Sequence, residues 1–148
     1  MRDGTLRLAP ELVEQLLQRA RASEPREACG LLLGAPGRAT RLVEVANLAP
    51  EPDRFEAHPG QWRAALDGAV ASGEVALAAW HSHPAGAALP GHRDACADWK
   101  ELPVLLVSPA GSPRLRAWRR IEGGWVELPL QIAAAPSEEA PTRAPCPP

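Results

Sequence analysis

The sequence predicts an α/β domain in which a mixed sheet is flanked by helices, and three observations predict it. Short, continuously apolar runs at 28–33, 75–80 and 102–107 read as strands. Two other stretches carry apolar residues at helical spacing. These segments succeed one another as helix, strands, helix, strand, helix, strands, the pattern of helices laid on a sheet.

The first helix spans 10–22. Leu12, Val13, Leu16, Leu17 and Ala20 recur on one face, Pro10 suits the first turn and Pro25 stops the run. The 28–33 run ends at Gly34 and has the composition of a strand covered on both faces. Ala35-Pro36-Gly37 turns the chain into a strand at 40–46, so the two form a hairpin with Glu27 at its mouth. From 47 to 57 the composition shifts to proline and acid, which reads as a loop. Pro59 opens a second helix with Trp62, Ala65, Leu66, Ala69 and Val70 on its buried stripe, and Ser72-Gly73 closes it. The strand at 75–80 leads into a loop of small residues, 85–90. A short helix fits 94–99, a strand 102–107, and a terminal hairpin 115–121 with 125–128 around Glu122-Gly123-Gly124. The domain is expected to span 1–131. Residues 132–148 are rich in Pro and Ala with nothing to bury, and read as a disordered tail.

With 148 residues the chain makes one domain, long enough for a real core. A net charge of −2 gives no electrostatic footprint for nucleic acid or an anionic membrane. Only Lys100 among the 16 basic residues is a lysine, and Ala, Pro and Gly abound, which suggests a GC-rich bacterial genome. Cys29, Cys96 and Cys146 are scattered without a Cys-x-x-Cys, which argues against a disulfide framework and a cysteine metal site. The expected compartment is a reducing cytoplasm. The first apolar run is broken by Glu11, Glu14 and Gln15, so it is neither a signal-peptide core nor a membrane span.

The chemistry sits at Trp80-His81-Ser82-His83-Pro84. A period of two aims both imidazoles to one side of the strand and turns Trp80 to the other. With the carboxylate of Asp94 they offer an N/N/O set suited to Zn²⁺. Three protein ligands leave a fourth tetrahedral position to water, as in a catalytic rather than a structural zinc site. Spacing alone leaves a plainer alternative open, in which two histidines end a strand and Asp94 pairs with Arg93.

The whole string decides between them. His81-Ser82-His83-Pro84-x-x-x-Ala88-x-Pro90-Gly91-x-x-Asp94, after an upstream Glu27-Ala28-Cys29-Gly30-Leu31-Leu32-Leu33-Gly34, resembles the JAMM (MPN+) metalloprotease family. The resemblance runs from roughly Leu6 to Leu128 and takes in Asn47 and Phe55, where bacterial members carry Asn and Phe. It implies a cytidine-deaminase-like α-β-α sandwich, Zn²⁺ as cofactor, and hydrolysis after the Gly-Gly end of a ubiquitin-like or small sulfur-carrier protein. It makes His81, His83 and Asp94 the metal ligands. Glu27 becomes the base that takes a proton from water and returns it to the leaving amine, and Cys29 a small buried neighbour rather than a nucleophile.

One position departs from the family. Gly91 stands where the family has a serine that donates to the oxyanion, and losing one such donor costs on the order of 10² to 10³ in kcat. The expectation is that His92, or a backbone N–H of Gly91 or His92, takes its place. The alternative is a weak or inactive module that binds a ubiquitin-like tail without cleaving it. Gly91 favours that module, whereas the intact set Glu27, His81, His83 and Asp94 favours the enzyme. Other zinc hydrolases fit worse, since both the His-Glu-x-x-His helix and the deaminase His-x-Glu with Pro-Cys-x-x-Cys are missing.

Overall fold

Apolar residues at helical spacing drive the first element to the sheet. In the computed structural model, which describes residues 4–91 and 102–134, Leu12, Leu16, Leu17 and Ala20 of α1 (Pro10–Ser23) are all buried. Before it comes β1 (Leu6–Leu8), and after it the hairpin of β2 (Cys29–Ala35) and β3 (Arg38–Val45). The turn is only two residues, Pro36-Gly37, with Gly37 at φ 91°, so β3 starts at Arg38 rather than at the expected residue 40. Helix α2 (Pro59–Ala71) then leads to β4 (Val75–Ser82), followed by β5 (Val104–Val107), β6 (Leu115–Ile121), β7 (Gly124–Leu128) and β8 (Leu130–Ile132).

Both ends of α2 are held by local chemistry. The His58 ring accepts from the Gln61 N–H through Nδ1 at 3.1 Å and so caps the N-terminus. At the other end Gly73 sits at φ 76°, Glu74 N–H donates to Ala69 O at 2.8 Å and Gly73 N–H to Val70 O at 3.1 Å. That pair of bonds is a Schellman closure.

The eight strands among the described residues form one sheet in the order β7-β6-β5-β4-β2-β3-β1-β8. It is mixed: β4 with β5, and β1 with both β3 and β8, run parallel, while the other pairs are antiparallel. Residues alternate between its faces. On one face Leu32, Trp80, Leu105, Val107 and Ala117 pack with the buried stripe of α1. On the other, Leu31 and Leu33 pack with Trp62, Leu66 and Ala69 of α2. A helix on each face of a mixed sheet is the three-layer arrangement that the sequence predicts.

Three differences from the sequence expectation concern short or terminal pieces. β1 and β8 are three-residue strands, too brief to show a period, and they pair as Leu6↔Leu130, Arg7↔Gln131 and Leu8↔Ile132. Because Ala133 N–H also donates to Leu8 O at 3.2 Å, the expected boundary at 132 falls inside the last strand. β5 begins at Val104 instead of 102, since Pro103 has no N–H for the ladder, although its carbonyl accepts from Ala79 N–H at 2.9 Å. The expected helix at 94–99 and most of the expected tail lie outside the described residues. No helix among the described residues is long and apolar enough to cross a membrane.

Candidate active site

The register of β2 against β4 builds the site. Gly30 lies opposite Trp80 and Cys29 opposite His81. Beyond the ladder, Ser82 N–H donates to Ala28 O at 2.9 Å, and Ala28 N–H donates to the Ser82 hydroxyl at 2.8 Å. This reciprocal pair extends the strand contact by one residue and sets Glu27 at the mouth of the sheet beside His83. Glu27 and His83 line one cavity of about 680 Å³, together with Asp53, Pro84, Leu89 and Gly91.

The two histidines share a face, as their spacing predicts. Their ring centroids are 5.1 Å apart, with His81 buried and His83 half-buried. Trp80 points to the opposite face and is fully enclosed in the core against α1. Its indole explains Gly30: a Cβ there would lie 2.8 Å from Trp80 Nε1 and would collide with the Val43 carbonyl oxygen.

His83 is oriented by the loop that follows it. Its Nδ1 lies 2.9 Å from Ala87 O, and its backbone N–H donates to Val107 O at 2.8 Å. A carbonyl only accepts, so Nδ1 carries the proton and Nε2 of the neutral ring presents the lone pair. That is the tautomer a histidine needs to ligate a metal through Nε2. The loop in turn is braced from β5 and β6. Ser108 Oγ donates to Gly86 O, and the Trp118 indole N–H donates to Ala88 O at 3.1 Å. Ala88 is buried against Val104 and Leu106. The sequence pattern assigns no site role to Trp118 or Ser108 and no bracing role to Ser82. Their signal is a partner distant in the chain, which a single sequence does not display.

The segment between Asn47 and Ala57 forms the other wall. The Asn47 amide makes four bonds: Nδ2 donates to Glu27 O at 2.9 Å and Arg54 O at 3.0 Å, while Oδ1 accepts from Ala49 N–H and Glu56 N–H, both at 2.9 Å. Arg26 donates to Asn47 O at 3.1 Å and also to Ala49 O. Phe55, on this segment, stacks on the His81 ring with centroids 4.2 Å apart and planes at 28°.

Cys29 lies beneath the site, fully enclosed, with Sγ 3.8 Å from Val45 O. Burial pushes its thiol up to about 12, with the carboxylates of Glu44 and Glu27 adding to the effect. A thiol held so firmly protonated is no nucleophile at neutral pH.

For a metal, the described residues offer the adjacent imidazoles of His81 and His83, a donor pair suited to Zn²⁺. Asp94, the expected third ligand, lies outside the described residues, as does His92. Accordingly, among the described residues no group of three His, Cys, Asp or Glu side chains is placed to hold an ion. The pair, its ring orientation and the adjoining carboxylate of Glu27 fit the ion that the sequence pattern implies.

Residues 9–121 match the family described as prokaryotic homologs of the JAB domain. The chain belongs to that family. A relative is the CysO-cysteine peptidase of Mycobacterium tuberculosis (strain H37Rv), 31% identical over 144 residues, covering 89% of this chain and 96% of the relative. Another is the desampylase of Haloferax volcanii, 29% identical over 126 residues and covering 80% and 91% of the two chains. Among solved structures, a protein from Desulfitobacterium hafniense superposes with a TM-score of 0.78 at 28% identity, over 88% of this chain and 94% of its own. A JAB1/MPN domain protein from Archaeoglobus fulgidus, at 18% identity, has a TM-score of 0.59 over 84% and 98%, a likeness of fold. The JAB domain therefore accounts for the mixed sheet and its two helices.

Proposed function

We propose that this JAB domain is a zinc-dependent peptidase or isopeptidase. Its substrate is the bond that follows the C-terminal Gly-Gly of a small ubiquitin-like or sulfur-carrier protein. Glu27 acts as general base and acid, and His81, His83 and Asp94 hold the metal. The observation that carries the reading is the meeting of Glu27, only 8% exposed, with the oriented imidazole of His83 on one cavity, His81 adjoining. The names of two relatives, a CysO-cysteine peptidase and a desampylase, support a small carrier protein as the substrate.

Zn²⁺, when bound, supplies a Lewis acid and lowers the pKa of water toward 7. The chain's own residues do the rest. Glu27 takes a proton from the attacking water and passes it to the amine nitrogen as the carbon–nitrogen bond breaks. Ala85, Gly86 and Gly91 leave the cavity wall without bulk, so an extended Gly-Gly segment passes where larger side chains would clash. Gly91 stands in place of the family's serine, and His92 adjoins it in sequence. If His92 supplies the oxyanion donor, His92→Ala lowers kcat by about 10² or more; an unchanged kcat assigns that role elsewhere.

Gly91 also favours a second reading, a module that binds a ubiquitin-like tail without cutting it. A carrier extended past Gly-Gly by a short peptide separates the two. The peptidase releases the peptide and Glu27→Gln does not; the module binds the carrier and releases nothing.

A further inference from the structure

His83 and His81 are held by different means. The ring of His83 is fixed by Ala87 O at 2.9 Å. That of His81 lies face to face with Phe55 at 4.2 Å and 28°. Rotation of an imidazole about its last side-chain bond is soft, so a stacked plane fixes what the rotamer leaves loose.

Phe55 is itself held by an unusually complete anchor. The loop is closed by Leu48 N–H donating to Glu56 O at 2.8 Å and by an antiparallel bridge between Asn47 and Ala57. Inside it, both ends of the Asn47 amide are used, and one of its four bonds runs to Glu27 O. The guanidinium of Arg26, the residue before Glu27, donates to the carbonyls of Asn47 and Ala49. One loop thus grips the backbone of Glu27 at one end and the ring of His81 at the other.

We infer that Phe55 is a positioning residue that holds the His81 imidazole in its metal-binding orientation, with Asn47 tying it to the Glu27 backbone. This rests on the reading of His81 as a metal ligand. Its predicted size is that of other groups that orient ligands, about tenfold in metal affinity. A planar ring, and not mere apolar bulk, is what the geometry requires.

The test is a Zn²⁺ titration of the metal-free full chain against a chromophoric chelator, with Phe55→Leu and Phe55→Tyr beside the wild type. The expected result is stoichiometric binding by the wild type, affinity about tenfold weaker in Phe55→Leu, and recovery in Phe55→Tyr, which keeps the plane. NMR of the metal-free proteins reads the same geometry directly. Ring-current shielding of the His81 ring protons is present in the wild type and Phe55→Tyr and lost in Phe55→Leu. Should Phe55→Leu fail to fold, Phe55→Met serves as the unstacked variant. Equal zinc affinity in the stacked and unstacked proteins overturns the inference, and so does a Phe55→Tyr as weak as Phe55→Leu. A wild type that takes up no zinc overturns the metal site and this inference together.

Discussion

Glu27 and Cys29 are two residues apart, yet only Glu27 lines the cavity. Glu27 reaches the cavity from the mouth of β2, where Glu27→Gln is expected to lower kcat by about 10² to 10⁴ while leaving zinc affinity and Tm near wild type. Cys29 faces inward, and its raised pKa has a consequence for stability. The folded thiol keeps its proton to about 12, whereas the unfolded thiol loses it near its ordinary 9.0. Between those values the unfolded state binds fewer protons, so this contribution is complete below pH 9.0 and is lost as pH rises toward 12. Denaturant unfolding from pH 8 to 11 is expected to show a shallower alkaline loss in Cys29→Ala than in the wild type. At this scale the motif singled out Glu27, His81 and His83, and the fold brings Glu27 and His83 together at one cavity with His81 adjoining. Trp118, Ser108 and the bracing role of Ser82 were not legible, because each acts through a backbone carbonyl or amide that the fold alone brings near.

The antiparallel contact of β2 with β4 converts that motif into a site. Its spacing depends on Gly30, whose missing Cβ admits both the Val43 carbonyl and the Trp80 indole. Gly30→Ala forces backbone of the central hairpin apart, and a loss of about 1–3 kcal/mol or more is expected in denaturant unfolding. Ser82 is the corresponding device at the mouth. Ser82→Ala leaves the buried Ala28 N–H without its acceptor, a cost of about 1–3 kcal/mol, and loosens Glu27 beside His83. The expected signature is a lower Tm together with a fall in kcat. Long elements were legible: α1 and α2 from helical spacing, β2 and β4 from continuous apolar runs, and the β2–β3 hairpin from its turn residues, with β3 beginning two residues earlier than expected. β1 and β8 escaped because three residues carry no period and their pairing with each other spans more than a hundred positions.

Across the whole molecule the sheet separates stability from chemistry. The face under α1 carries the largest buried cluster, and the opposite face carries α2 and the histidines. The distal edge, β1 with β8, lies at the far end of the strand order from β5–β7, and β4 lies between. Truncation after Pro129 removes β8 and is expected to lower Tm by roughly 5–10 °C while kcat of the folded fraction stays unchanged. Truncation after Ala134 is expected to leave both unchanged, on the reading of the remaining residues as a tail. Fold class was legible at this scale because helices and strands alternate in a pattern with few packing solutions. Strand order was not, since β4 and β5 are joined through the site segment and β1 returns beside β3 only in three dimensions. In the proposed function Glu27, beside a metal held by His81, His83 and Asp94, drives hydrolysis after Gly-Gly. The measurement that tests it most directly is hydrolysis of a sulfur-carrier protein extended past its Gly-Gly by one cysteine, using the zinc-loaded chain, its Glu27→Ala variant and a chelated sample. Release of cysteine by the loaded wild type, lost in both other samples, is the predicted result. A carrier that binds and stays intact at every zinc level, or that Glu27→Ala cleaves as fast as the wild type, would contradict it.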